Sequence, residues 1–264
     1  MLNILVCVKQ VPDVNLVKID PETGSLIRKG VPAILNPHDE NALEAALQMK
    51  ERYGGSVTCI TMGPDQAEEA LRECLAAGAD RAVLLSDRAF ANADTLATSY
   101  VIVSAARTLG SFDLVFCGKE SLDGATGQMA SQLAERLDCS QLSCVEEILA
   151  VDERTGTLTA RRCLERGFET AEARLPCLMT VEKSRYRVRI PNLKSWKASR
   201  KAEILRFDSR SIPGLDPAQI GDPGSPTKVP RTYPPVVGQR GRMLDEGSTE
   251  KTVEKLLGLL AEAR

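Results

Sequence analysis

The feature that most constrains this chain is an alternation. Four short apolar runs, "NILVCV" (3–8), "SVTCITM" (56–62), "AVLLS" (82–86) and "LVFCG" (114–118), are separated by stretches with helical spacing. The runs are apolar at successive positions, as strands covered by helices on both faces are. Asn36 is a natural N-cap, with Pro37 at the first helical position and Asp39 and Glu40 in the first turn. That helix is predicted to run to about Glu51, and "GG" at 54–55 stops it. Further helices are expected from near Asp65 to Gly78, from the cap residue Asp94 towards Leu109, and from near Thr126. The alternation predicts an α/β fold with a doubly wound, mostly parallel sheet. Such sheets place ligands at the carboxyl ends of their strands, near the point where strand order reverses. The loops "KQVPD", "TMGP", "SDRAFANADT" and "KESLDGATGQ" all fall at such ends.

After about residue 140 the pattern changes. Residues 145–182 alternate in polarity around the turn signals "DERTG" and "ERG", which predicts a small antiparallel β section. From Arg185 to Arg206 eight Lys or Arg residues face one Glu, which makes this the basic stretch of the chain. Residues 208–242 are rich in Pro and Gly and read as an extended arm laid on something else. A last helix, 249–263, is capped by Ser248 and gathers Val253, Leu256, Leu257 and Leu260 on one face. The division expected is 1–206 for the α/β domain and 207–264 for the arm with its helix.

Bulk properties exclude several classes. The 264 residues carry a net charge of −2 and only 4% aromatics, so neither charge nor stacking surface favours nucleic acid. No apolar run is long enough to span a membrane, and "MLNILVCVKQV" lacks the basic start and cleavage site of a signal peptide. The eight cysteines include no CxxC pair and His38 is the single histidine, which argues against zinc and for reduced thiols in a cytoplasmic protein. No GxSxG elbow is present, "GATGQ" is not GxGxxG, and no lysine stands where a P-loop carries one. His38 reads as a surface residue of a first turn, and no catalytic side chain is expected.

Anion binding is better supported. Asp94-Thr95 and Thr126-Gly127-Gln128 each place hydroxyls and free backbone N–H groups at a helix start on the ligand side of the sheet. Two readings stand side by side: plain capping by Asp94 and Thr126, or a cradle for a pyrophosphate. The basic stretch has three: a solvated face, a nucleic-acid patch, or a docking segment. Ile190, Leu193 and Trp196 favour the last, since aromatic and Arg residues dominate interface hot spots.

In order along the chain stand "ILVCVKQVPD", "ILNPHDENALEAAL", "ITMGPDQAEEALRECLAAGADRAVLLSD", "ADTLATS", "CGKESLDGATGQMASQLAERL", "RIPNLKSWKASRK" and "GSPTKV". Together these motifs resemble the beta subunit of electron transfer flavoprotein over nearly the whole length. The resemblance implies an adenine nucleotide alpha hydrolase-like fold and an alpha subunit as obligate partner, that subunit carrying its own FAD. It also implies a dehydrogenase partner of the acyl-CoA or related class, with NADH and ferredoxin or flavodoxin as further redox partners in the electron-bifurcating members. The beta site holds FAD in one branch of the family and AMP in the other.

Carried over by position, the family's nucleotide contacts fall on Cys7, Val8, Asn36, Asp39 and Met62. The loop from Gly118 to Met129 adds Asp123, Gly124, Thr126, Gly127 and Gln128, while Asp94, Thr95 and Thr98 resemble the FAD-holding branch. That branch reads D-G-D-T-A-Q-V-G-P where this chain reads DGATGQMAS from Asp123 to Ser131. "GQM" is similar to the AMP-holding branch, but the longer loop of that branch is missing. FAD is the expected occupant and AMP the alternative. A nucleotide-binding regulatory protein without a redox role is the rival of another class, and an acidic chain of this kind disfavours an RNA-binding one.

Overall fold

The computed structural model describes residues 1–13, 18–19, 26–27, 32–181, 186–228, 241 and 243–262. Strand β1 (Leu2–Cys7) leads into two small antiparallel pairs, β2 (Gln10–Pro12) with β5 (Ala33–Leu35) and β3 (Lys18–Ile19) with β4 (Leu26–Ile27). Helix α1 (Pro37–Tyr53), β6 (Gly55–Met62), α2 (Glu68–Ala77), β7 (Arg81–Leu85), α3 (Thr95–Leu109), β8 (Leu114–Gly118) and α4 (Met129–Leu137) follow. Then come β9 (Ser140–Asp152), β10 (Thr157–Leu164), β11 (Gly167–Arg174), β12 (Cys177–Val181), α5 (Leu193–Ser199), β13 (Leu205–Phe207) and α6 (Thr249–Glu262).

Nine strands form one sheet in the order β11-β10-β9-β12-β8-β1-β6-β7-β13. β1 lies between β8 and β6, parallel to both. The chain steps outward from β1 through β6 to β7, then returns to β8 on the other flank of β1. The strand order therefore reverses at β1 and β8, and their carboxyl ends bound the crevice such a fold offers to ligands. The expected antiparallel section is present as β9, β10 and β11, but it is no separate piece. β12 runs parallel to both β9 and β8 and stitches the hairpins into the main sheet.

Two cores lie on opposite faces of the sheet. One packs Leu43 and Leu47 of α1 and Leu71 of α2 against Ile4, Val6 and Phe116. The other packs Val101 and Ile102 of α3 and Leu133 of α4 against Leu5 and Val115, with Ile212 and Ile220 from beyond β13. The four parallel strands and first three helices agree with the sequence pattern to within a few residues. Helix α4 opens somewhat later than expected, at Met129 rather than near Thr126. Ala125 and Gly127 have φ of 46° and 61°, and the loop must leave that left-handed conformation before a helix can begin.

The expected boundary at 206/207 falls inside β13, which pairs with β7. Residues beyond it pack on this same chain: Ser209 Oγ donates to Asp87 Oδ2 at 2.6 Å, and Asp216 N donates to Tyr100 Oη at 2.9 Å. Residues 229–240 of the expected arm lie outside the described residues, as does Arg185. In α6, Val253, Leu256, Leu257 and Leu260 are all exposed.

Candidate functional site at the carboxyl ends of β1 and β8

The start of α1 is where β1 and β8 are tied together. Asn36 sits at the cap position, but its side chain caps nothing. Its Nδ2 instead donates to Glu120 O at 2.9 Å and its Oδ1 accepts from Leu122 N at 3.3 Å, holding the loop after β8. Asp39 is buried, and its two oxygens accept from Lys9 N at 2.8 Å and Gly118 N at 3.1 Å. Burial drives its carboxyl up from 3.8 to about 7, against the opposing pull of the Lys9 N–H, the Asn36 amide and the Gly118 N–H. Gly118 is required here: a Cβ would meet the Asp39 carboxylate and lie 2.7 Å from the backbone of His38. Cys7 ends β1, and Val8 follows it, its N–H donating to Ile60 O at 2.9 Å. Met62 ends β6, half-buried against the second core.

The starts of α3 and α4 meet on the other side of the sheet. Asp94 is a true cap, its Oδ1 accepting from Ala97 N at 3.0 Å, and Thr98 N donates to Asp94 O at 3.0 Å. Its Oδ2 accepts from Thr227 N at 3.0 Å, and its own N–H donates to the buried Ser225 Oγ at 2.8 Å. Burial opposes the charge of Asp94, but the N–H groups of Thr227 and Ala97 outweigh it and hold the carboxyl below 3.8. Thr95 Oγ1 donates to Gln128 Oε1 at 3.1 Å and accepts from Gln132 Nε2 at 3.2 Å. The loop bearing Asp123, Gly124, Thr126, Gly127 and Gln128 is exposed. Thr126 lies outside α4 and Gln128 stands at its cap position without a side-chain capping bond, so the plain-capping reading fails there.

Buried polar atoms without a partner bear on whether a ligand fits. Gln132 Oε1, behind Thr95, is one, and His38 Nδ1, beside the Gly118 end of β8, is another. Buried polar groups are ordinarily paired, and these two find no partner within this chain. The sequence-predicted residues are thus drawn to one end of the sheet, but in two groups: Asn36 and Asp39 engaged by backbone, and Thr126 and Gln128 exposed with Thr95 half-buried beside them. Lys9 escaped sequence reasoning. Its Nζ donates to both carboxylate oxygens of Asp123, at 2.7 and 2.8 Å. No local signal links them, because 114 positions separate the two. Ser225 and Thr227 escaped it too, although they belong to the quoted "GSPTKV".

The basic stretch is laid onto α1 and α2. Arg189 grips Glu44 at 2.7 and 3.0 Å and Glu51 at 2.6 Å. Arg200 pairs with Glu69, and Arg206 with Asp65 and Glu68. These three arginines face carboxylates of their own chain, which tells against the nucleic-acid reading. They leave Ile190 at 93%, Leu193 at 67% and Trp196 at 47% exposure, a raised apolar group above charged anchors.

No group of His, Cys, Asp and Glu that would hold a metal ion occurs among the described residues. No described helix is long and apolar enough to cross a membrane.

Sheet order, the β1/β8 crevice and its converging helix starts define a doubly wound α/β protein with its polar loops at one end of the sheet. The electron transfer flavoprotein domain model matches residues 23–211. The electron transfer flavoprotein subunit beta of Thermoanaerobacterium thermosaccharolyticum is 44% identical over 97% of this chain and 96% of its own length. The caffeyl-CoA reductase-Etf complex subunit CarD of Acetobacterium woodii is 44% identical over 99% and 98%. Protein FixA of Bradyrhizobium diazoefficiens is 40% identical over 96% and 89%. The chain belongs to the electron transfer flavoprotein family and is similar to its beta subunits.

Proposed function

We propose that this chain is the beta subunit of a heterodimeric electron transfer flavoprotein that holds FAD in the crevice described. It would pass electrons between NADH or an acyl-CoA-type dehydrogenase and other redox partners, by flavin-based bifurcation. The observation that carries the reading is the meeting of two helix starts through Thr95, Gln128 and Gln132. Each helix N-terminus carries roughly half a positive charge, so two together suit a pyrophosphate better than one phosphate. The unpartnered Gln132 Oε1 beside them gives a bound ligand or its water a place to donate.

On this reading Thr95, Thr126, Gly127 and Gln128 hold the phosphates, while Cys7, Val8 and Met62 line the floor. Asp94, Thr98, Gly124 and Met129 shape the helix starts. Asn36, Asp39 and Gly118 keep the crevice walls in register. A bound flavin would supply the exchange between electron pairs and single electrons. The partner class follows from the caffeyl-CoA reductase complex to which the relative CarD belongs. Ile190, Leu193 and Trp196 would dock the dehydrogenase, with the rim of Arg and Lys steering the encounter. The exposed leucine face of α6, with the arm before it, would be covered by the alpha subunit.

One observation favours AMP as the second reading: the loop order Gly127-Gln128-Met129. The test is the flavin and AMP content of the copurified heterodimer after acid extraction. Two flavins and no AMP support FAD in this chain. One flavin and one AMP would sink it and leave the AMP-holding reading. A chain that purifies with a nucleotide but with no flavin and no alpha subunit would favour a nucleotide-binding regulatory protein.

A further inference from the structure

Lys9 follows β1, and Asp123 lies in the loop after β8, so their ion pair spans the mouth of the crevice where the strand order reverses. The same loop carries Thr126, Gly127 and Gln128. A carboxylate in a loop that receives phosphate is a liability, since like charges at short range repel. Burial opposes the charge of Asp123, but hydrogen bonds from Lys9 and Ser121 and the Lys9 charge hold its carboxyl below 3.8. It is therefore an anion at neutral pH, and Lys9 is what neutralises it.

The backbone of Lys9 is held at the start of α1, and its side chain reaches out to Asp123. Its N–H donates to Asp39 at 2.8 Å and its carbonyl accepts from Asn36 N at 2.9 Å. Its side chain and that of Asp123 remain 47% and 34% exposed, and the flexible four-carbon stem can turn without moving the strand. Half-exposed pairs of this kind are weak, whereas an ammonium on a more highly charged phosphate gains charge-assisted hydrogen bonds.

We propose that Lys9 is a phosphate-binding cation of this crevice, held by Asp123 until a nucleoside diphosphate or the pyrophosphate of a dinucleotide displaces the carboxylate. The inference rests on the nucleotide reading above. A P-loop lysine does this chemistry from within its own glycine loop. Here the lysine arrives from the neighbouring strand, so residues 123–128 contain none. Asp123 acts as the competitor that keeps the ammonium at the mouth.

The test uses the full chain copurified with its partner subunit, depleted of nucleotide and titrated calorimetrically with ADP, with adenosine as the phosphate-free control. Lys9→Met should weaken ADP about tenfold, the scale of one charge-assisted contact, and leave adenosine unchanged. Lys9→Arg should restore most of the loss. Asp123→Asn should tighten ADP several-fold, and that gain should vanish in the Lys9→Met background. Melting temperatures check that each variant is folded. Equal ADP affinity in Lys9→Met and wild type overturns the inference alone. Loss of ADP affinity in Asp123→Asn to match Lys9→Met also overturns it, because the pair would then be a brace for the loops. Wild type that binds neither ADP nor FAD overturns the nucleotide reading and this inference together.

Discussion

Two sets of helix starts face the same end of the sheet, and they are built differently. At α1 the polar groups are buried and engaged by backbone: Asp39 takes the N–H groups of Lys9 and Gly118, and Asn36 grips Glu120 and Leu122. At α3 and α4 side chains meet one another, with Thr95 between Gln128 and Gln132 and one amide oxygen unpaired. A start that satisfies itself is a brace. A start that does not is available to a ligand. The resemblance to known flavoproteins treats both as nucleotide contacts, and the structure separates their mechanical parts.

The largest effect that would break this contrast is at Gly118. Gly118→Ala sets a Cβ against the Asp39 carboxylate and the backbone of His38, neither of which can yield. Overpacking of this kind should cost about 3 kcal/mol of stability by urea unfolding, or leave the chain insoluble. Thr126→Ala, in the exposed loop, should stay within about 0.5 kcal/mol of wild type. Similar losses at both positions would erase the distinction.

Asp39 sharpens it through pH. The folded carboxyl sits at about 7 because burial removes its water, while the unfolded one returns to 3.8. Between these values the folded state holds a proton that the unfolded state releases. This group's contribution to stability therefore declines as pH rises through that window. Asp39→Asn should remove that slope from the urea midpoints measured across it. No group at the α3 start carries such a raised carboxyl: Asp94 is lowered, so its contribution is present above 3.8 and declines as pH falls.

A smaller effect is expected at Thr95. Thr95→Val removes a half-buried hydroxyl between Gln128 and Gln132, for about 1 kcal/mol in stability. Nucleotide retention in the heterodimer should fall about five- to tenfold, as one lost hydrogen bond to a charged phosphate implies. Full retention would move the phosphates elsewhere. The smallest change in stability is expected at Ile190, whose side chain is 93% exposed. Ile190→Ala should leave unfolding unchanged while slowing electron transfer to the dehydrogenase in stopped-flow assays. A loss of flavin in that variant would place it in the wrong region.

How much of this was legible depended on range. Strands β1, β6, β7 and β8 are written in local apolar runs, and Asp94 as a cap is written in the residues beside it. Asn36 was placed correctly in the chain but not in role, since its partners Glu120 and Leu122 lie more than 80 positions away. Thr126 was taken for a helix start because nothing local marks Ala125 as left-handed. Strand β12 reads as part of the antiparallel section, because its parallel pairing with β8 is a matter of register across the sheet. Strand β13, three residues long, carries too little pattern to be read as an edge strand. The ring of Arg189, Arg200 and Arg206 read as bare charge, since the glutamates that face it stand on α1 and α2.

The carboxylate of Asp94 has one oxygen on the first turn of α3 and the other on Thr227, 133 positions further on. A chain synthesised from its N-terminus completes β7 and α3 long before Ser225 and Thr227 exist. Closing a loop of that length is slow compared with forming a helix. Until it closes, Asp94 keeps an open acceptor, and the second core lacks Ile212 and Ile220. The finishing contact of the helix start is therefore delivered by the stretch just before residue 229, and a prematurely ended chain never receives it. In this molecule the tail end of synthesis completes the beginning: a chain translated past residue 227 supplies the partner of the second carboxylate oxygen beside Thr95.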